Sequence, residues 1–200
     1  MKPNRLFSEN YKIDRSTNLY MIEVGLDQYE DIFNEWDPAP FKRREIDSDL
    51  RLYLEESSDE IPFQYSIELC FIIPVSAYDS RIEAEARKGL INSFAFKLHL
   101  LRRQIRQTNV QMLRFVVLGF IFLAAAAIFN QKDEETIILS TLTEGVFIAG
   151  WVFLWEAVSL FFFTNRELYH RYQTYRRIQA APVVFQTVEK PLKFPLMSEP

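Results

Sequence analysis

Glu144 and Glu156 are the only ionisable residues in 137–163, a run of 27 that is otherwise apolar apart from Thr, Ser and Gly. A charge at the centre of a bilayer costs about 3 kcal/mol or more, so such groups either serve function or are satisfied by a partner. Depth sets the cost. If the two apolar runs of this chain are symmetric about residue 133, Glu144 lies level with Phe122 and Glu156 with residue 110. If the bilayer centres on Gly150, both lie roughly 9 Å from the midplane at about 1.5 Å rise per residue. If the span is 145–163, Glu156 is the deeper one. Twelve residues of helix leave the two about 120° apart in azimuth, so they form no continuous polar stripe. The chemistry open to them is hydrogen bonding within the hairpin or an oligomer, pairing with Arg114 or Arg106, or ion or proton conduction in an oligomer. Catalysis lacks a second partner.

Other reactive residue types are few. His99 falls in a long helical pattern and reads as filling a face; His170 stands among Arg and Tyr and reads as an interfacial side chain. The single cysteine, Cys70, excludes an internal disulfide and a zinc cluster, and its strand position suits a small packed hydrophobe. There is no Walker A loop, GxGxxG, HExxH, GxSxG or CxxC. No enzyme activity, metal or cofactor is expected.

"FKRREIDSD" places Lys42, Arg43 and Arg44 beside Glu45, Asp47 and Asp49. It reads as a locally salt-bridged loop or as a docking surface for a partner or anionic headgroups, held by the preceding proline turn. "RYQTYRR" resembles an RNA-binding pattern, but its position after an apolar run suits lipid headgroups better. A net charge of −4 and a pI near 5.4 also argue against nucleic acid.

These residues need elements to hold them. Residues 115–129, "FVVLGFIFLAAAAIF", are an uninterrupted apolar run of 15 with no polar face; with Met112, Leu113 and a snorkelling Arg114 it approaches spanning length. Arg102, Arg103, Arg106 and Arg114 precede it, and Arg166 and Arg171 follow the second run, whereas "NQKDEE" between them holds one lysine. The positive-inside rule then predicts a hairpin with both termini cytoplasmic. Gly145 and Ala149 form a small-xxx-small pair that Gly119 and Ala126 could receive. The N-terminal residues lack an apolar h-region, which predicts no cleavable signal.

The remaining sequence predicts a small cytosolic α+β domain. Residues 1–16 read as a polar tail and 17–111 as the domain, with a strand at 17–24 and a short helix capped by Asp27 and carrying Tyr29, Ile32 and Phe33. A second helix is capped by Asp47 or Ser48, carries Leu50, Tyr53 and Leu54, and is stopped by "SSDEIP". "QYSIELCFII" at 64–73 alternates with period 2, giving a strand with one apolar face. A stalk helix at 80–108 carries Ile82, Ala86, Leu90, Phe94, Leu98, Leu101 and Ile105 at helical spacing, and Glu83 pairs with Arg87 on its exposed side. No breaker separates it from a first transmembrane helix at 112–130. An external loop at 131–136 and a second transmembrane helix at 137–163 follow. Residues 164–188 give a cytosolic helix with Leu168, Tyr172, Tyr175 and Ile178 on one face, then a strand that could pair with the N-terminal ones. Residues 189–200 read as a tail.

"FNEWDPAPFKRREID", "YLEESSDEIP", "IELCFIIP" and "EGVFIAGWVFLWEA" together resemble, in the same order, an uncharacterised family of bacterial two-span membrane proteins with an N-terminal cytosolic domain. The resemblance covers residues 28 to 185. It implies a multi-pass protein of the bacterial cytoplasmic membrane and brings no activity or functional residue. The expected function is therefore non-enzymatic: a membrane-anchored protein whose cytosolic domain binds a partner or mediates homo-oligomerisation. The alternative is an oligomeric channel or membrane-perturbing effector gated by that domain.

Overall fold

The structure, a computed structural model, describes residues 11–130 and 137–189. The loop expected at 131–136, most of the N-terminal tail and all but the first residue of the C-terminal tail lie outside these. The chain mixes helix with a small three-stranded sheet and divides into two compact units, Met1–Leu98 with Gln173–Pro200, and His99–Tyr172.

In the first unit β1 (Tyr20–Gly25), β2 (Ile67–Pro74) and β3 (Val183–Val188) form one sheet in that order. All pairing is parallel, with Ile22 beside Leu69 and Leu69 beside Val183. Parallel neighbours need crossovers. Helix α1 (Ser48–Glu60) lies in the first, and the second leaves the sheet at Pro74 and returns only at Val183. Into that crossover the sequence inserts both of its long apolar segments.

β2 departs from its expected one-sided pattern. Ile67, Leu69, Phe71 and Ile73 are buried, but so are Glu68 and Cys70 on the other face. Alternation in sequence signals a half-exposed strand; a central strand in a parallel sheet is covered on both sides. Residues 11–16, expected as tail, contribute to that cover. Ile13 bridges Tyr20, Lys12 pairs with Glu23 at 3.0 Å, and nearby Thr17 donates to the buried Glu68 at 3.3 Å.

Two boundaries also move. The short 3-10 turn Tyr29–Ile32 is closed by Asp31, whose carboxylate accepts from the N–H groups of Asp27 and Gln28 at 2.9 Å; Asp27 is not the cap. Helix α1 is capped by Asp47, which accepts from Asp49 and Leu50, and it runs through "SSDE" to Glu60. The serines persist in the helix because tertiary packing buries Ser57 and Ser58. It stops where Pro62 disfavours helical backbone in the residue before it.

Helix α2 (Ser80–Asn130) is one continuous element over the segments expected as stalk and first span. Its Ala86, Leu90, Phe94 and Leu98 are buried in the first unit, as the helical spacing predicts. Arg87 pairs with Glu83 at 2.9 Å but is only part-exposed: it also donates to the Val183 carbonyl and lies over the Phe185 ring, tying α2 to β3. Helix α3 (Ile137–Ser159) passes through a π-turn, Leu160–Thr164, into α4 (Asn165–Ala180). The α-helical part of the second apolar run thus ends at Ser159, short of 163.

The end of α4 is fastened to α1 and the loop after it. Arg177 donates to the carbonyls of Ser58 and Ile61 at 2.6 Å, Tyr65 at 2.7 Å and Pro62 at 3.2 Å, with its guanidinium over Phe63. Tyr175 donates to Glu55, which Arg51 also holds at 2.6 Å, and Thr174 donates to Asp59 at 2.6 Å. A planar five-donor fork suits a nest of carbonyls that a point charge would serve poorly.

Candidate functional site

A braced cleft lies in the first unit, where residues 33–46 fold against α2. A lone glycine permits it. A side chain at Gly89 would run into the Phe41 carbonyl oxygen and stand 2.8 Å from the Phe33 ring. Glycine inside a helix costs about 1 kcal/mol relative to alanine, which here is exchanged for close approach of a second backbone. Phe33 stacks on Phe41 with centroids 5.2 Å apart, and Phe33 and Ile46 close the loop with an antiparallel bridge.

The loop is cross-braced by its own polar groups. Asp37 accepts from the N–H groups of Ala39 at 3.0 Å and Glu45 at 2.8 Å. Those hydrogen bonds, first Glu45 and then Ala39, hold its carboxyl below the usual carboxylate range. Arg44 donates to the Ala39 carbonyl at 2.9 Å and lies over the Phe41 ring. On the helix side, Asn92 donates to the Lys42 carbonyl at 3.0 Å, and Lys97 pairs with Glu45.

Between loop and helix opens a cleft of about 520 Å³ lined by Asp37, Lys42, Arg43, Arg44 and Glu45 from the loop and by Asn92, Ser93, Phe96 and Lys97 from α2. Four cations and two carboxylates line it, on a chain whose net charge is −4. Arg44 and Lys97 are committed to loop architecture. The side chains of Lys42 and Arg43 have no hydrogen-bond or ion-pair partner among the described residues and are exposed. The salt bridges expected within the loop are not found among the described residues; Glu45 pairs instead with Lys97 on α2. Sequence reasoning found the three basic residues but missed Gly89, Asn92, Ser93, Phe96 and Lys97. A solitary glycine in a strongly helical pattern was the available signal.

The second unit holds Glu144 and Glu156. Gly119 and Gly150 meet: a Cβ on Gly119 would stand 2.7 Å from Leu154 and 3.1 Å from the Gly150 carbonyl, and one on Gly150 would stand 2.8 Å from Leu123. Gly119 is thus a packing residue as expected, but its partner is Gly150. Nothing lies within 4 Å of a side chain built at Gly145, so the Gly145–Ala149 pair is not the crossing point. The small-xxx-small motif fixes a face only if its azimuth is the one that meets the neighbour, and the seam runs five residues further along. Ala126 and Ala157 are buried in the same unit, Phe153 packs between Phe115 and Phe122, and Asn165 donates to Asn109 at 2.7 Å.

Neither carboxylate is buried in this seam, but Glu144 stands at its edge. Glu144 and Glu156 are exposed, and neither has a hydrogen bond or ion pair among the described residues, so satisfaction within one chain and pairing with Arg106 or Arg114 are not found. Glu144 borders a cavity of about 310 Å³ that it shares with Thr143 and Phe147 of α3 and with Leu123, Ala126, Ala127 and Asn130 of α2. Of the basic residues flanking the apolar runs, Arg102 donates to the Tyr172 hydroxyl at 2.8 and 2.9 Å, while Arg103, Arg106, Arg114, Arg166 and Arg171 are exposed. His99 is exposed rather than filling a face, and His170 is exposed as well. Cys70 is fully buried, and burial together with Glu23 and Glu68 pushes its thiol up to about 11. Among the described residues no cluster of three or more His, Cys, Asp or Glu is arranged to hold a metal ion.

No protein-family model, curated protein or solved structure matches this chain. Its functional reading rests on its own residues.

Proposed function

We propose that the chain is a non-enzymatic integral membrane protein, crossing the bilayer twice with both termini in the cytoplasm, whose cytosolic domain binds a partner or holds copies of the chain together. One observation carries this reading. Two helices are long and apolar enough to span a membrane, and their outward surfaces expose Leu113, Phe120, Ile121, Ile148, Trp151, Trp155 and Phe163 while only a thin seam of small residues is buried. A soluble protein does not leave an apolar surface of that extent in water. The flanking arginines and the acidic "NQKDEE" support the orientation.

The test is extraction and labelling of the full chain in bacterial membranes. It should stay in the pellet through alkaline carbonate, and a Gln131→Cys variant on a Cys70→Ala background should react with an impermeant maleimide from outside. Release by carbonate, or labelling only after lysis, overturns the reading.

Glu144 and Glu156 favour self-association among the modes of partnership, and they keep an oligomeric channel as a second reading. An exposed carboxylate in hydrocarbon needs polar cover, and a second copy can supply it. Cross-linking in the membrane should give discrete oligomers that weaken in the double variant Glu144→Gln, Glu156→Gln. Absence of ion flux in liposomes for the parent, or flux unchanged in that variant, removes the channel.

A further inference from the structure

We propose that the cleft between the 33–46 loop and α2 is a binding site for a phosphoryl-bearing anion, with Lys42 and Arg43 as its charge-bearing residues. The first ground is preorganisation. Gly89, the Phe33–Phe41 stack, Asp37 and the Arg44 bond to Ala39 fix the loop before any ligand arrives, so little ordering is left to oppose binding. The second is uncommitted charge. Two cations on adjacent residues make no hydrogen bond or close ion pair among the described residues, Arg43 feeling only the longer-range field of Asp37, at the rim of a cleft whose other cations are spent on the fold. Like charges held side by side repel, an arrangement a bound dianion relieves. A single carboxylate neutralises one of them; a phosphoryl dianion neutralises both, with the Arg43 fork matching two phosphoryl oxygens and Lys42 acting as a point charge.

Size and lining fit the same ligand class. A cleft of about 520 Å³ falls in the range of small-ligand sites of roughly 300–1,000 Å³. Ser93 adds a hydroxyl, and Phe96, 61% exposed, gives an apolar wall for the organic part of an ester. The ligand is therefore a phosphate monoester, carried either on a lipid headgroup or on a soluble metabolite. The site stands on the first unit alone and does not depend on the membrane reading.

The experiment uses the full chain in an uncharged detergent and two calorimetric arms. One titrates inorganic phosphate and glycerol 3-phosphate; the other titrates short-chain phosphatidic acid against short-chain phosphatidylcholine. Saturable binding in either arm, weakened at least tenfold in Lys42→Gln, Arg43→Gln and unchanged in Arg166→Gln, Arg171→Gln, supports the proposal, and the responding arm names the source. Both exposed substitutions should leave the circular dichroism and melting curve in place. Flat titrations in both arms overturn the site, as does binding that the cleft variant leaves unchanged.

Discussion

The Phe41 carbonyl oxygen lies directly over the α-carbon of Gly89, in contact that a methyl group at that position would occupy. A residue in the third turn of a 51-residue helix is thus chosen for what passes above it rather than for helix propensity. The loop carrying Lys42, Arg43 and Arg44 rests on the helix here, and Asn92 and Lys97 fasten it further along.

Gly89→Ala should therefore behave opposite to an ordinary helical glycine. Propensity alone would stabilise by about 1 kcal/mol, whereas forcing the loop backbone off the helix costs roughly 1–3 kcal/mol. A lowered melting temperature with weakened phosphate binding is the expected outcome. A variant that melts higher than the parent would show that the loop does not rest there.

Glycine substitutions also separate the two candidate seams of the second unit. Gly150→Leu and Gly119→Leu must displace Leu123 or Leu154 and should destabilise the helix pair by several degrees in detergent. Gly145→Leu meets open space and should melt like the parent. Equal losses at 145 and 150 would place the crossing elsewhere.

Arg177 closes the first unit by serving four carbonyls between Ser58 and Tyr65. Arg177→Met leaves those acceptors without their donor and should cost about 2–4 kcal/mol, given about 1.5–3 kcal/mol for hydrogen bonds to charged groups. Arg177→Lys restores charge but not the fork, and should recover less than half of the loss. Urea unfolding followed by far-ultraviolet circular dichroism reads both.

Cys70 gives a pH signature. Its folded-state thiol titrates near 11 rather than at the ordinary 9.0, because burial and the neighbouring Glu23 and Glu68 disfavour the thiolate. The unfolded chain thus releases this proton first, and the contribution is intact below pH 9.0 and lost as pH rises towards 11. Cys70→Ala should flatten the alkaline fall in melting temperature across that window. Native protein at pH 8 should react with a thiol reagent only as fast as it unfolds; rapid labelling would mean the β2 face is open.

Much of the architecture was legible along the chain because it depends on local periodicity. The buried positions of α2 from Ala86 to Ile105, the Asp47 cap, the 183–188 strand and the two apolar helices each follow from side-chain spacing or a single capping group. The basic triplet was legible as charge. Its cleft was not, because Asn92, Ser93, Phe96 and Lys97 come from a helix some fifty residues on.

What sequence determined here is therefore composition by segment: where the chain is apolar, where charge sits and which elements form. What only tertiary structure decided is pairing. β2 became central and two-sided because β1 and β3 both add to it in parallel, which no property of "QYSIELCFII" specifies. Gly150, not Gly145, meets Gly119 because azimuth along a helix matters only relative to a neighbour. Glu144 and Glu156 stay exposed for the same reason: the seam closes on small residues, which leaves Glu144 at its edge beside Leu123 and Ala126 and Glu156 among the residues it does not bury.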